Sequence, residues 1–463
     1  LGKNTQNPRT KYFTTHDQEL FAKFSGDYNP IHLSQLDARR TISGECIVHG
    51  INSMLWSLEN LFRDILVTIE SIKVTFLKPI FINQEVVYSF NSELSSIQLT
   101  VDGIKCVNIS LIQSKSKDLL IHSHSLPQIQ TSHQPNEIIQ SELSLLHKVD
   151  PYYCGDQKYA FQLYPHLTKS LGIGLVCQLA SLSEIVGMQV PGKHSLYKSL
   201  KIQFGKLNSI YSINVVHSDQ RLRLIRLSVN YPSIDATIEA YFRPLPVFIS
   251  SCNELARKYS HKDYREIRAF IVGGSRGLGA AVAKLIALGG GSSLITFNSG
   301  KKDAKQIQAD INTYGATCKI MQLDVLKNSI NSLDLSPFNQ VYYFASPKIR
   351  DNRATTFNES LYSKYSDYYI QRFEKLANMA IQQRIKTFFY PSSIFIDQKP
   401  LNYKEYIKAK NFGENICKKL NTVSNTKFIY PRLPMINTDQ NLSILPLDLQ
   451  DSCSIMSNYI EAI

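Results

Sequence analysis

FSGDYNPIH, residues 24–32, sets a carboxylate at Asp27 and an imidazole at His32 five positions apart, with Asn29 and Pro30 between them. Local chemistry accounts for part of this stretch. Just upstream, TTHDQELFAKF has Thr15 followed by Gln18 in a capping-box pattern, which predicts a short helix from about residue 16 to 24. Gly26 can end that helix, because glycine accepts positive φ. Asp27 and Asn29 then suit turn chemistry, since both side chains cap nearby backbone groups, and Pro30 stiffens the loop. Spacing alone leaves two readings open: a polar turn, or an acid–base pair held for proton transfer.

The sequence further along narrows the choice of fold. IVHGINSM (47–54) leads into an apolar, helix-like INSMLWSLENLF (51–62), then into strand-like SIKVTFLK (71–78) and EVVYSF (85–90). The succession recurs as LVCQLASLSEIVG (175–187), SLKIQFGK (199–206) and SINVVH (212–217). A helix followed by long antiparallel strands, used twice, predicts two similar α+β folds side by side. Chance similarity between short apolar patterns is the alternative. LPQIQTSHQPNEIIQSE (126–142) reads as a linker. At the 128-residue offset between Ser71 and Ser199, Gly155 and Ala160 stand where the second copy would need its Asp and His.

Length and composition bound the rest. A chain of 463 residues predicts two or three domains. Its 43% hydrophobic and 19% charged content describes a soluble globular protein. No window approaches the roughly 20 apolar residues of a membrane span, and the sequence from Leu1 shows no signal peptide. Eight scattered cysteines without a CxxC argue against a disulfide framework and against a zinc or other metal site, and for a reducing, cytoplasmic setting. The net charge of +13 suits polyanionic ligands. With no Lys/Arg run of five and no nucleic-acid motif, the expected partners are a phosphorylated cofactor, coenzyme A or an acidic carrier protein.

Residues 268–440 change rhythm, alternating short apolar runs with helical stretches as a parallel sheet requires. RPLPVF (243–248) ends the strand-rich part, and a polar, helix-like connector follows, placing the boundary in 250–267. FIVGGSRGLGAAVAKLIALGGG (270–291) reads as strand, glycine turn, helix and glycine stop. Gly273, Gly277 and Gly279, with Ser275 and Arg276 between them, allow a tight turn and close approach of a pyrophosphate to backbone amides. The next strand, SSLITFN (292–298), ends in NSGKK without the acidic residue that NAD-preferring sites carry. Arg276, Asn298, Ser299 and the two lysines suit a 2′-phosphate, so NADPH is expected over NADH; a solvated turn is the other reading of Lys301 and Lys302. Further on, FFYPSSIFIDQKPLNYKEYIKAKNFGENICKKL (388–420) carries Ser393, Tyr406 and Lys410. The Y-x-x-x-K spacing also occurs at Tyr197 and Lys201, in a strand-like run. Around Tyr406 the sequence is helix-like, so Lys410 shares its face. Its ammonium is expected to lower the phenol's pKa, so that Tyr406 can protonate a carbonyl oxygen that Ser393 also bonds.

Two family resemblances sit on these residues. FAKFSGDYNPIHLSQLDARRT…IVHGI resembles the MaoC-like (R)-specific enoyl-CoA hydratases, which have the hotdog fold, over roughly residues 10–95. The resemblance implies reversible hydration of a 2-enoyl thioester, with Asp27 and His32 as the catalytic pair and the Gly50 amide facing the thioester oxygen. His49 is expected to be structural and Asn29 to orient the loop. The second copy then looks like a degenerate hotdog that completes the fold and walls the acyl tunnel. Residues 268–440 resemble the short-chain dehydrogenases/reductases through VGGSRGLG, LDV with Asp324 as the adenine contact, Ser393, Tyr406 and Lys410, and RLPMINTD (432–439) with Thr438 near the nicotinamide amide. The departures are FASP (344–347) in place of N-N-A-G, Val272 for the common threonine, and Tyr369 near the place of the catalytic asparagine.

The expected architecture is an α+β double hotdog, residues 1–125 and 143–248, followed by an α/β Rossmann-type doubly wound parallel sheet, residues 268–463. The expected function is bifunctional chemistry of fatty-acid metabolism: (R)-3-hydroxyacyl dehydration or enoyl hydration, plus NADPH-dependent 3-oxoacyl reduction. The substrate would be an acyl-CoA or acyl carrier protein thioester, with neither nucleic acid nor membrane as partner and with a homodimer formed through paired helices. Two alternatives stay open: a hydratase whose reductase domain binds nucleotide without turnover, and an acyl-carrier binding module without chemistry.

Overall fold

A computed structural model of the protein describes residues 9–114, 134–139, 141–142, 147–205, 211–259, 262–327, 330, 332–350 and 356–461; most of the expected linker 126–142 lies outside them. The chain divides into two units, Leu1–Leu245 with Ser443–Pro446, and Pro246–Leu442 with Leu447–Ile463.

In the first unit ten strands form one sheet: β1 (Arg9–Tyr12), β2 (Ile69–Phe76), β3 (Glu85–Asn91), β4 (Ser96–Val101), β5 (Ile104–Gln113), β6 (Lys148–Val149), β7 (Ser195–Phe204), β8 (Ser212–Asp219), β9 (Leu224–Tyr231) and β10 (Ile234–Phe242). Their order is β1-β3-β4-β5-β2-β7-β10-β9-β8-β6. The two copies of the repeated pattern are the two central strands. β2 and β7 pair antiparallel, with Ser71 opposite Gln203, Lys73 opposite Lys201 and Thr75 opposite Ser199. The halves thus meet across an approximate two-fold axis near Lys73 and Lys201. Alternation along β2 buries Ile72 and Val74 and leaves Lys73 exposed, as a sheet with one covered face requires.

Each half lays a helix on the covered face. In Gly50–Asp64 the buried Ile51, Met54, Leu55, Leu58 and Leu61 recur at helical spacing. Ile173–Glu184 continues into a π turn, Ile185–Gln189, and is buried along nearly its whole length. Both helices share one apolar core with the sheet. The helix Thr15–Ser25 is capped by Thr14, not Thr15: Thr14 Oγ accepts from Asp17 N–H, and the Asp17 carboxylate accepts from Thr14 N–H at 2.8 Å. Gln18 cannot serve that cap, because it is buried and reaches His49. Gly26 ends the helix at φ +82°.

The second unit holds a six-stranded parallel sheet in the order β13-β12-β11-β14-β15-β17. Its strands are β11 (Arg268–Val272), β12 (Ser292–Phe297), β13 (Cys318–Gln322), β14 (Gln340–Tyr343), β15 (Thr387–Phe389) and β17 (Lys427–Ile429); β16 (Ser392–Ser393) and β18 (Arg432–Leu433) pair separately. This is the doubly wound order, and it reverses direction between β11 and β14, where such sheets open a ligand crevice. The connector helix Cys252–Tyr259 belongs to this unit. Its Cys252 N–H donates to the Asp310 carboxylate at 3.1 Å, and Lys284 Nζ donates to the carbonyls of Ile249 and Ser250 just before it. Those contacts draw the connector into the Rossmann core and set the division at Leu245. All eight cysteines are free thiols. Among the described residues no single helix is long and apolar enough to cross a membrane.

Candidate active site

The loop after Gly26 is tied at each polar position. Asn29 Oδ1 caps the short turn that carries His32 by accepting from Ile31 N–H at 3.1 Å, and Asn29 Nδ2 donates to the Gly187 carbonyl at 2.8 Å. Asp27 is buried. Its Oδ1 accepts from Asn29 N–H at 3.1 Å and its Oδ2 from the Ser183 hydroxyl at 2.6 Å. Burial pushes the carboxyl up to about 6, against the opposing pull of those two hydrogen bonds. His32 Nδ1 lies 2.8 Å from the Ile47 carbonyl oxygen, so the ring donates there and its other nitrogen is left as an acceptor. Burial lowers this imidazole to about 4, and Arg243 adds to the effect.

His49 stacks on His32 with ring centroids 3.8 Å apart. Its Nδ1 is 2.8 Å from Gln18 Oε1, and its Nε2 is 3.1 Å from the Asp27 carbonyl oxygen. Burial and the neighbouring His32 hold His49 well below the usual histidine range. Asp27, His32 and His49 offer ligating atoms all within 4.8 Å of one another, close enough to share one water or one small ion. A neutral His49 can donate to only one of the Gln18 and Asp27 oxygens, and the Asp27 carboxylate and the open nitrogen of His32 lie in the same cluster. Gly50 starts the helix Gly50–Asp64, so its N–H belongs to the unpaired first turn at the positive end of the helix dipole. A Cβ there would come within 2.9 Å of the Phe76 ring.

The second half reaches further into this site than its missing Asp and His imply. Besides Ser183, it supplies Gly187, where a Cβ would fall 2.2 Å from Asp27 Oδ1. It also supplies Glu184, whose carboxyl lies against Gly26 and accepts from Cys154 N–H at 3.1 Å. Burial raises Glu184 to about 8, and Asp27 adds to the shift, so it holds its proton at neutral pH. Sequence reading missed all three; the signal that pointed toward them was the repeat, which aligns SLSEIVG with the central helix.

In the second unit the glycine turn follows β11. Gly273 has φ +79° and Gly277 φ +52°, and a Cβ on Gly279 would come within 2.4 Å of the Gly273 carbonyl oxygen. Side chains are excluded from this cradle, which fits a dinucleotide pyrophosphate at the start of the helix Gly277–Leu288. Ser275 lies in the turn, and Thr438 is buried with its methyl 3.7 Å from the Cβ position of Gly277. Asn298 and Ser299 are exposed at the end of β12. Asp324, just after β13, accepts from Leu326 N–H at 3.0 Å and pairs with Lys327 at 3.8 Å. Arg276, expected at a 2′-phosphate, is ion-paired instead with Asp439, whose carboxylate stands one residue past Thr438.

Ser393 Oγ accepts from Phe395 N–H at 3.3 Å and is near enough to Tyr406 to pull its phenol down against burial. Tyr406 and Lys410 sit one turn apart on the helix Lys404–Val423. The expectation that Lys410 lowers the Tyr406 pKa is corrected. Burial raises the phenol, and Lys410 Nζ donates to the Pro391 carbonyl at 2.6 Å, over the rings of Tyr369 at 4.0 Å and Tyr390 at 4.6 Å. The ammonium itself is lowered to about 7 by burial. Tyr369 occupies a π turn, Asp367–Arg372, with its hydroxyl 2.5 Å from Ser346 Oγ.

Residues 1–107 match the MaoC like domain family. No curated protein matches the chain. Solved structures similar to it include a 3-oxoacyl (acyl-carrier-protein) reductase from Agrobacterium tumefaciens with NADP bound (18% identity, 39% of this chain and 74% of that one, TM-score 0.35). Others are a short-chain dehydrogenase from Sphingobium yanoikuyae in complex with NADPH (12%, 42% and 84%, 0.37) and a short-chain type dehydrogenase/reductase from Mycobacterium ulcerans (14%, 43% and 83%, 0.38). Residues 1–107 thus carry a MaoC like domain by family match, with the loop of Asp27 and His32 set against the start of a sheet-wrapped helix, and the second unit has the strand order of a doubly wound, Rossmann-type sheet around its glycine turn.

Proposed function

We propose that the first unit adds water to a 2-enoyl thioester, or removes it from the (R)-3-hydroxyacyl thioester, and that the second reduces the 3-oxoacyl thioester to the same 3-hydroxyacyl compound with NADPH. The convergence of Asp27 and His32 within reach of one solvent molecule, beside the Gly50 amide, carries the reading. A water held there donates one hydrogen to the Asp27 carboxylate and the other to the open nitrogen of His32. Its oxygen forms a bond to C3 while Asp27 takes the proton, and the π electrons shift to the thioester oxygen. That oxyanion sits at the helix N-terminus. The enolate then collapses, taking the proton from Asp27 at C2. Dehydration is the reverse path.

For the second unit, NADPH supplies a hydride when bound. The glycine cradle would hold its pyrophosphate, and Tyr406, beside Ser393, would donate the proton to the substrate oxygen. One observation favours a second reading, nucleotide binding without turnover: Lys410 Nζ is bound to the Pro391 carbonyl and lies over the rings of Tyr369 and Tyr390, with Tyr369 near the place where an asparagine is expected. The shared 3-hydroxyacyl intermediate gives tethering a purpose, since a covalent link raises its effective concentration. The net charge of +13 suits a coenzyme A or carrier-protein thioester in the cytoplasm.

The test uses the full chain. Crotonyl-CoA should lose its enoyl absorbance with wild type and keep it with Asp27→Asn. If wild type hydrates neither this nor a carrier-protein thioester, the hydratase reading fails. Acetoacetyl-CoA should drive NADPH oxidation that Tyr406→Phe abolishes; binding of NADPH without oxidation selects the second reading.

A further inference from the structure

We infer that Asp439 limits the preference for NADPH over NADH, by holding the Arg276 guanidinium away from the end of β12 until a 2′-phosphate competes for it. The inference rests on the dinucleotide-binding part of the reading above.

The strand order fixes the geometry. β12 and β14 flank β11 on opposite sides, and the glycine turn that follows β11 carries Arg276 between them. The place expected for a 2′-phosphate, at Asn298 and Ser299, is on the β12 side. Asp439 is fastened to the β14 side. Lys348 Nζ donates to the Asp439 carbonyl at 2.7 Å and to the Gln440 carbonyl at 3.3 Å. Gln440 Nε2 donates to the Pro347 carbonyl at 3.1 Å, and Gln440 Oε1 accepts from Ile349 N–H at 3.0 Å. Asp439 Oδ1 accepts from Val247 N–H at 2.8 Å, while Oδ2 takes Arg276. The result is a strap from the segment after β18 to the segment after β14, with Arg276 hooked onto it from the glycine turn.

Charge makes the strap competable. Lys348 has Arg276 and Arg350 as repulsive neighbours and Asp439 as its attractive one. Arg276 is held by the Asp439 carboxylate and Lys348 by the Asp439 backbone carbonyl, so an incoming dianion meets cations gathered on one strap. Arg276 is the N-cap of the helix Gly277–Leu288, which fixes its backbone and leaves a long side chain to choose between partners. A phosphate offers the guanidinium a planar, charge-assisted match at least as good as a carboxylate does. NADPH carries that phosphate and NADH carries a hydroxyl, so only NADPH can take Arg276 back from Asp439.

The test is equilibrium binding of NADPH and of NADH, by nicotinamide fluorescence, to full-length wild type, Asp439→Asn and Asp439→Asn/Arg276→Met. Asn keeps the acceptor for Val247 N–H and removes the charge. Asp439→Asn should tighten NADPH by about tenfold and leave NADH unchanged, and adding Arg276→Met should erase the gain. Thermal melts report folding, and Asp439→Ser serves if the Asn variant is unfolded. Equal tightening of both nucleotides, or none, overturns the inference and leaves the dinucleotide site standing. If neither wild type nor variant binds either nucleotide, the dinucleotide reading falls and the inference with it.

Discussion

The Ser183 hydroxyl donates a 2.6 Å hydrogen bond to Asp27 Oδ2 across 156 positions of sequence. Ser183 lies on the helix of the half without an acid–base pair, and Asp27 in the loop of the half that has one. The half lacking the pair therefore helps fix the orientation of the Asp27 carboxylate.

Gly187 makes that dependence testable. Gly187→Ala would place a methyl 2.2 Å from Asp27 Oδ1 and force the carboxylate to turn. Crotonyl-CoA hydration should fall by about 100-fold, the effect of misplacing a catalytic group by about an ångström, while NADPH binding stays at the wild-type level. Full hydration by this variant would show that Asp27 does not need its present orientation.

Asp27→Asn should trade activity for stability. Its carboxyl titrates at about 6 in the fold and near 3.8 when unfolded. The folded pKa is the higher, so its contribution to stability is complete below pH 3.8 and is lost as pH rises through about 6. At pH 8 the ionised group costs about 3 kcal/mol. The variant should lose hydration by a factor of about 10² to 10⁴ and melt higher than wild type at pH 8. In wild type, kcat/KM for hydration should rise with pH through about 6, as Asp27 becomes the base, and then level off.

Glu184→Gln isolates a second titration. Glu184 goes from 4.5 unfolded to about 8 folded, raised by burial and by Asp27. Its stabilising contribution is complete below pH 4.5 and lost as pH rises through 8. Urea melts at pH 4, 7 and 9 should show the variant gaining on wild type as pH rises, with the full difference present at 9. A gap independent of pH would place the Glu184 proton elsewhere.

Gly279→Ala separates the two units. The added methyl would lie 2.4 Å from the Gly273 carbonyl oxygen, so the glycine turn must open. NADPH affinity, read by fluorescence titration, should drop by about tenfold or more, with crotonyl-CoA hydration intact.

Much of this was legible in one dimension. Asp27, Asn29 and His32 act within a few residues of each other, and Gly50 opens a helix whose apolar period is plain; such features are encoded where they are used. The glycine turn is legible for the same reason. Ser183, Glu184 and Gly187 are not, because what makes them matter is the approach of a loop some 156 positions away, and nothing in SLSEIVG distinguishes a serine that meets a carboxylate from one that meets water. The capping residue was misplaced by one because Thr14 and Thr15 are adjacent and either can cap; burial of Gln18 against His49 decides between them. The Tyr406 reading failed on burial, a tertiary quantity: i,i+4 spacing puts Lys410 on the right face but does not say that Pro391 will claim its proton donor. Asp439 escaped notice for a like reason, since its partner Arg276 lies 163 positions away.

The axis between Lys73 and Lys201 has an evolutionary corollary. Were the halves identical subunits, every substitution would appear on both sides of the seam at once, and a glycine making room for a neighbour's carboxylate would also be imposed where no room is needed. Covalent joining releases that constraint. One copy can keep its proton-handling loop under selection while the other drifts until its helix serves only as a template for its sibling, a division of labour closed to any symmetric pair.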